Sequence, residues 1–237
     1  MTDVEVRTLL AERLGAVELR IAEACRLAGR ERSAVTLVAV TKTVSSRVAG
    51  LLPELGVLDL GENRPQELWR KAEALQHLPI RWHFIGHLQR NKIERTLPCV
   101  HLFHSVDSLR LLEALATTKA VTRPRVLLQL NSSREEQKGG FAYETLLTLE
   151  ETIAKLPLAV VGLMGMAANT DDPALVRATF AELRQFRERL RTAWPILGPR
   201  LEYLSMGMSG DFEVAIAEGA THIRLGSTLF NGLEAES

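Results

Sequence analysis

The stretch TLVAVTKTVSS, Thr36 to Ser46, decides the fold. Its first five residues are a continuous, mostly apolar run, the pattern of a parallel strand covered on both faces rather than a half-exposed one. An open doubly wound sheet would follow its first strand with a glycine-rich GxGxxG turn, but TKTVSS follows here. Such a run can instead open a closed barrel if the pattern recurs. Lys42, just past the run, raises a second question: it is either a solvated strand-end lysine or an amine aimed into a pocket.

The pattern does recur. Working outward, seven more short apolar runs alternate with helical stretches: Val57 to Leu60, Arg81 to Ile85, Val100 to Ser105, Arg125 to Leu130, Leu158 to Leu163, Leu201 to Met206 and His222 to Leu225. The helices between them carry start and stop signals: Pro65 after Asn63 and Arg64, Asp107 before SLRLLEAL, Asp172 then Pro173, and Gly219 after DFEVAIAE. Before the first strand, Leu10, Leu14, Val17, Ile21, Cys25 and Ala28 repeat every three or four residues. Thr2 and Glu5 stand ahead of them in capping-box spacing, and Gly29 follows. The expectation is an α/β protein, a (β/α)8 TIM barrel with an extra N-terminal helix. With no Pro-, Gly- or Ser-rich linker to divide it, residues 1–237 read as a single domain.

Composition excludes several function classes. With 29 basic and 29 acidic residues the chain has no net field to draw it to nucleic acid or an anionic membrane. The N-terminus, MTDVEVRTLLAERLG, has no apolar targeting core, and no run approaches the length of a membrane span. Cys25 and Cys99 have no metal-ligand spacing and read as two buried thiols in a reducing compartment, so a cytoplasmic location is expected.

In a barrel, functional groups project from the C-terminal ends of the strands. Here those ends carry Lys42, the GEN turn Gly61 to Asn63, GHLQ from Gly86, MGM from Met164, GMSGD from Gly207, and Arg224 with GST from Gly226. Ser209-Gly210 and Gly226-Ser227-Thr228 follow strands seven and eight, where barrels frequently hold a phosphate on backbone N–H groups. The same turns also read as ordinary capped turns, with Ser209 or Asp211 capping the helix that ends at Gly219. Closure makes strands one and eight neighbours, so Lys42 and Arg224 share one mouth. A partly desolvated lysine beside other cations has a lowered pKa and forms Schiff bases with aldehydes. Taken with a phosphate site, that chemistry fits a phosphorylated aldehyde such as pyridoxal 5′-phosphate (PLP).

Other constellations carry less. His83 and His87 are four apart, but WHFIG reads as a strand, so they are core or pocket-lining histidines, as are His101 and His104. GMSGD has Asp211 where a nucleophile elbow needs its second glycine, and no Walker motif occurs. No metal site is expected.

AVTK (Ala39 to Lys42), GENRPQE (Gly61 to Glu67), WHFIGHLQRNK (Trp82 to Lys92), NSSREEQKGGF (Asn131 to Phe141), GLM (Gly162 to Met164), LSMGMSGDFEVAI (Leu204 to Ile216) and IRLGSTLFNG (Ile223 to Gly232) stand in this order. With them the chain resembles the pyridoxal phosphate homeostasis protein family, whose fold is similar to the N-terminal barrel of alanine racemase. The resemblance implies PLP held on Lys42 as a Schiff base, with Asn63, Ile85, His87 and Met164 around the ring. It places Arg224 at the pyridine nitrogen and Ser209, Gly210, Gly226 and Ser227 at the phosphate. A permanent cation at that nitrogen disfavours ring protonation and weakens the electron sink. After the eighth strand only LFNGLEAES remains, too little for the second domain from which racemases draw a base. The implied role is storage, buffering or delivery of PLP without catalysis, by a monomer with PLP-dependent apo-enzymes as recipients. The alternatives are a PLP-dependent racemase-like enzyme and a lysine aldolase or isomerase acting on a sugar phosphate. The chain departs from the family at GLMGMAA after strand six and at its FNGLEAE terminus.

Overall fold

A computed structural model describes residues 1–118, 123–132, 139–167, 170 and 172–233. The centre of NSSREEQKGGF, Ala168 of GLMGMAA and the end of FNGLEAE therefore lie outside the described residues. Eight parallel strands close into a barrel in sequence order: β1 Thr36–Val40, β2 Asp59–Glu62, β3 Arg81–Phe84, β4 Leu102–Val106, β5 Arg125–Gln129, β6 Ala159–Met164, β7 Tyr203–Ser205 and β8 His222–Leu225. Register pairs Val38 with Arg224 and Ala39 with Leu225, which is the closure expected from the sequence.

The first and last strands keep the expected bounds, and the others move by one or two residues at one or both ends. The largest change in content is at β2. Gly61 and Glu62, expected in a turn, belong to the strand, because Gly61 pairs with Val40 on one side and His83 on the other. Met164 likewise ends β6 instead of following it, paired with Gln129 and Ser205.

The N-terminal helix, Asp3–Leu27, opens with both halves of its capping box, Thr2 and Glu5. Its buried stripe packs beside the last two helices, Phe212–Ala217 and Ser227–Phe230. Arg13 pins it there by donating to the Leu229 carbonyl at 2.8 Å, and Arg20 pairs with Glu213. Asp172 caps the long helix Pro173–Ala193 as read from sequence, through the N–H of Ala174. The expected cap at Asp107 is displaced to Ser108, which sits three residues before the Leu111 N–H it accepts. Cys25 is buried, but Cys99 is only half-buried, because it ends the short turn Leu97–Cys99.

Side chains alternate across each strand, and the two faces have opposite chemistry. Leu37, Ala39, Leu60, Phe84, Leu163, Ile223 and Leu225 face out into the main apolar core, with Leu10, Leu14, Ile21, Phe212 and Leu229 from the helices. Inside the barrel a small apolar group, Leu102, Leu127 and Met164, shares the space with buried Asp59, His83, His104, Ser205, His222 and Arg224. Barrel interiors are ordinarily filled with branched apolar layers. This one carries a polar column. No described helix is long and apolar enough to cross a membrane.

Candidate functional site at the barrel mouth

β1 ends at Val40, and Thr41 continues its ladder by donating its N–H to the Gly61 carbonyl at 2.9 Å. Lys42 follows and is exposed, without a hydrogen-bond or ion-pair partner among the described residues. This departs from the desolvated amine expected above; a bound ligand, not the barrel wall, would have to cover it.

What holds the backbone beside Lys42 is buried. The Thr41 carbonyl accepts from Lys71 Nζ at 2.6 Å, and Lys71 is ion-paired at 2.5 Å to Glu62 Oε1, which also accepts from Thr41 Oγ1 at 2.6 Å. Both charged side chains are fully buried, and Glu62 Oε2 has no partner among the described residues.

On the neighbouring strand Arg224 is buried inside the mouth. It donates from Nη1 to Ser205 Oγ at 2.6 Å and from Nη2 to the Gly165 carbonyl at 3.3 Å. Burial lowers its pKa to about 10, with the Asp211 carboxylate acting the other way, so the group stays cationic at neutral pH. Both partners are neutral acceptors. A guanidinium has five N–H donors, so this one keeps donors beyond those two contacts.

The turns after β7 and β8 come together. Ser209 Oγ lies 3.4 Å from the N–H groups of Gly226 and Thr228 at the start of Ser227–Phe230, while Gly210 and Ser227 donate no backbone hydrogen bond to a described residue. A side chain at Gly210 would meet nothing within 4 Å, so this backbone is open to an approaching group. Gly226 lies against Val40, two residues before Lys42. Asp211, one candidate cap, starts the helix Phe212–Ala217 without a side-chain cap bond and accepts from the Met208 N–H instead.

The remaining predicted wall residues divide. Asn63 and Ile85 are half-buried at the ends of β2 and β3. Gly86 packs on Asn63 so closely that a Cβ there would fall 2.0 Å from the Asn63 carbonyl oxygen. Met164 is buried with Leu102 and Leu127 in the barrel interior. His87 is exposed and turns to Asp107, Nδ1 to Oδ2 3.2 Å. His83 and His104 are buried, as the sequence reading has them, and hydrogen-bond to each other, whereas His101, read the same way, is exposed because it precedes β4 and turns to Arg125. Sequence reasoning missed Glu62, Lys71, Asp59 and Ser205. The signal for Asp59 and Ser205 was their place on the inward-facing alternation of β2 and β7; nothing local marked the contact of Lys71 with Thr41.

The residues fit a phosphorylated aldehyde. An amine, an open backbone cradle with a hydroxyl, and a buried cation stand on adjacent strands at one mouth. A closed parallel barrel with this mouth places the chain in the alanine racemase N-terminal-domain class, and that family's sequence model, "Alanine racemase, N-terminal domain", matches residues 13–234. The chain is 41% identical over 222 residues to the pyridoxal phosphate homeostasis protein of Aquifex aeolicus, covering 92% of this chain and 96% of that one. It is 40% identical to that of Pseudomonas aeruginosa, covering 93% and 94%. The structure of Synechococcus elongatus PipY with PLP bound superposes with a TM-score of 0.82 at 33% identity, covering 94% of this chain and 100% of that one. The chain belongs to the pyridoxal phosphate homeostasis protein family.

Proposed function

We propose that this protein binds PLP at the barrel mouth and serves PLP homeostasis by holding the cofactor reversibly and giving it up to PLP-dependent apo-enzymes. The observation that carries the reading is the meeting of Lys42, Arg224 and the Ser209–Gly226 cradle on three consecutive strands of the closed barrel. PLP supplies an electrophilic aldehyde, and Lys42 is the amine placed to hold it as a Schiff base. Ser209, Gly210, Gly226 and Ser227 would take the phosphate, Asn63 and Ile85 would flank the ring, and Met164 would close it from below. His87 would reach it only by leaving Asp107. Arg224 would face the ring nitrogen.

The carrier reading over a racemase-like enzyme rests on Arg224. A permanent cation at the ring nitrogen keeps the ring from protonating, and the electron sink that carbanion chemistry needs is weakened. The reading includes a monomer in the cytoplasm, with no nucleic-acid or membrane partner.

Mixing purified protein with PLP tests it. A visible absorption band and, after borohydride reduces the imine to a secondary amine, a stable mass increase on the Lys42 peptide are expected, both lost in Lys42→Ala. An unchanged band in that variant would refute the site. Sustained Lys42-dependent racemisation of amino acids would refute the carrier reading.

A further inference from the structure

The polar column inside the barrel is a single connected chain. Arg224 Nη1 is 2.6 Å from Ser205 Oγ, Ser205 Oγ is 2.7 Å from His104 Nδ1, His104 Nε2 is 2.8 Å from His83 Nδ1, and His83 Nε2 is 2.9 Å from Asp59 Oδ1. Asp59 and its partner Arg81 open β2 and β3 at the opposite end of the barrel, joined by contacts of 2.8 and 2.5 Å. The chain thus runs from the mouth to the barrel floor across five strands.

Its two ends fix the direction of every bond. A carboxylate only accepts and a guanidinium only donates. Asp59 is held ionised: burial works against it, but the hydrogen bonds from His83 and Arg81 prevail and keep its pKa well below the usual carboxylate range. Asp59 therefore takes a proton from His83 Nε2; at the other end the buried Ser205 hydroxyl, already accepting from Arg224, has only His104 Nδ1 among its described partners to donate to, which leaves His83 Nδ1 as the acceptor. That acceptor calls for the proton of His104 on Nε2. Burial holds His104 neutral, with its pKa well below the usual histidine value, so its Nδ1 accepts in turn. The Ser205 hydroxyl donates to that nitrogen and offers its lone pairs to Arg224. Each donation polarises the next group, so the Asp59 charge strengthens Ser205 Oγ as an acceptor. His222 and His101 pack against these rings, but His222 bonds Thr221 and His101 bonds Arg125, so neither enters the chain.

We propose that Asp59 is a positioning residue for Arg224, acting through a one-way relay of His83, His104 and Ser205. The relay sets the guanidinium in one orientation toward the ring-nitrogen position, so it rests on the PLP reading above. A merely structural column would be an expensive filler, since each buried polar group must be satisfied or it destabilises the fold. Apolar residues would fill the space without that demand.

The test begins on ligand-free protein, independent of PLP. Long-range 1H–15N spectra of the imidazoles are expected to show His83 and His104 neutral, both protonated on Nε2. Ser205→Ala should shift the His104 Nδ1 resonance toward that of an unbonded acceptor, and Ser205→Thr should restore it. Asp59→Ala should release the tautomer preference and give His104 a second set of signals. In loaded protein, Asp59→Ala and Ser205→Ala should each move the visible maximum and weaken PLP roughly tenfold, as loss of a hydrogen bond to a charged group does. If Asp59→Ala does not fold, the Ser205→Ala and Ser205→Thr pair carries the test alone. A doubly protonated His83, His104 protonated on Nδ1, or a loaded spectrum insensitive to Ser205→Ala would overturn the relay. Failure of wild-type protein to bind PLP would instead refute the function, leaving the tautomer result to stand by itself.

Discussion

Lys71 Nζ, fully buried, donates to the carbonyl oxygen of Thr41 at 2.6 Å, one residue before Lys42. The exposed amine of the mouth is therefore set by a buried ion pair behind it. Removing one partner of such a pair strands the other charge, at about 3–5 kcal/mol, whereas replacing both by apolar residues is often close to neutral. Lys71→Met is expected to lower the unfolding free energy by that amount, and Glu62→Met with Lys71→Met to recover most of it. Urea denaturation of the three proteins checks this; a near-neutral single variant would show that the pair does not matter.

The phosphate cradle makes a separable prediction. Hydrogen bonds to a charged group contribute about 1.5–3 kcal/mol each. Ser209→Ala with Ser227→Ala should weaken PLP by at least about tenfold while lowering the melting temperature of ligand-free protein only slightly, because Ser227 is exposed and the half-buried Ser209 makes only two long contacts of 3.4 Å, to the Gly226 and Thr228 N–H groups. Titration of the visible band reads the affinity, and equal affinity in the double variant would move the phosphate elsewhere.

Gly86 is the tightest backbone contact at the mouth, with Asn63 against it. A methyl there has no room, and overpacking of this kind costs about 1–3 kcal/mol. Gly86→Ala should destabilise the protein to that extent and also weaken PLP, since Asn63 must move. Loss of stability with unchanged affinity would remove Asn63 from the site.

Acid should act earlier than carboxylate titration alone would predict. Burial pushes His222 down to about 3 and holds His104 well below its ordinary value. The unfolded chain binds protons at these residues from about pH 6.5 downward while the folded chain does not. Their folded pKa values lie below the unfolded ones, so stability is intact above about pH 6.5 and falls as pH drops, by about 1.4 kcal/mol per unit for each histidine. The Asp59 pKa, also depressed, adds a loss of the same sign only below about pH 4. Denaturant unfolding across this range should show the slope, and His222→Asn should reduce it by about one proton. A flat profile between pH 6 and 4.5 would mean that these rings are protonated in the folded state.

The sequence by itself determined the repeat. Continuous apolar runs, Pro65, Asp172, Gly219 and the Thr2–Glu5 capping box are local signals, and local backbone preference sets where strands and helices form. They also placed Lys42, Arg224, Ser209 and Gly226 at strand ends, where closure in sequence order brings them to one mouth. Element ends were less legible. Gly61 joins β2 because two neighbouring strands offer it partners, and Asp107 yields its cap to Ser108 because their side chains compete for one helix start. Only the tertiary structure decided what backs the site. Lys71 meets Thr41 across 30 positions, and Asp59, His83, His104, Ser205 and Arg224 are joined over more than half the chain length. Each is unremarkable in its own window. Barrel closure puts their inward faces within hydrogen-bond reach, and the cost of leaving a buried polar group unpaired turns that proximity into one connected chain.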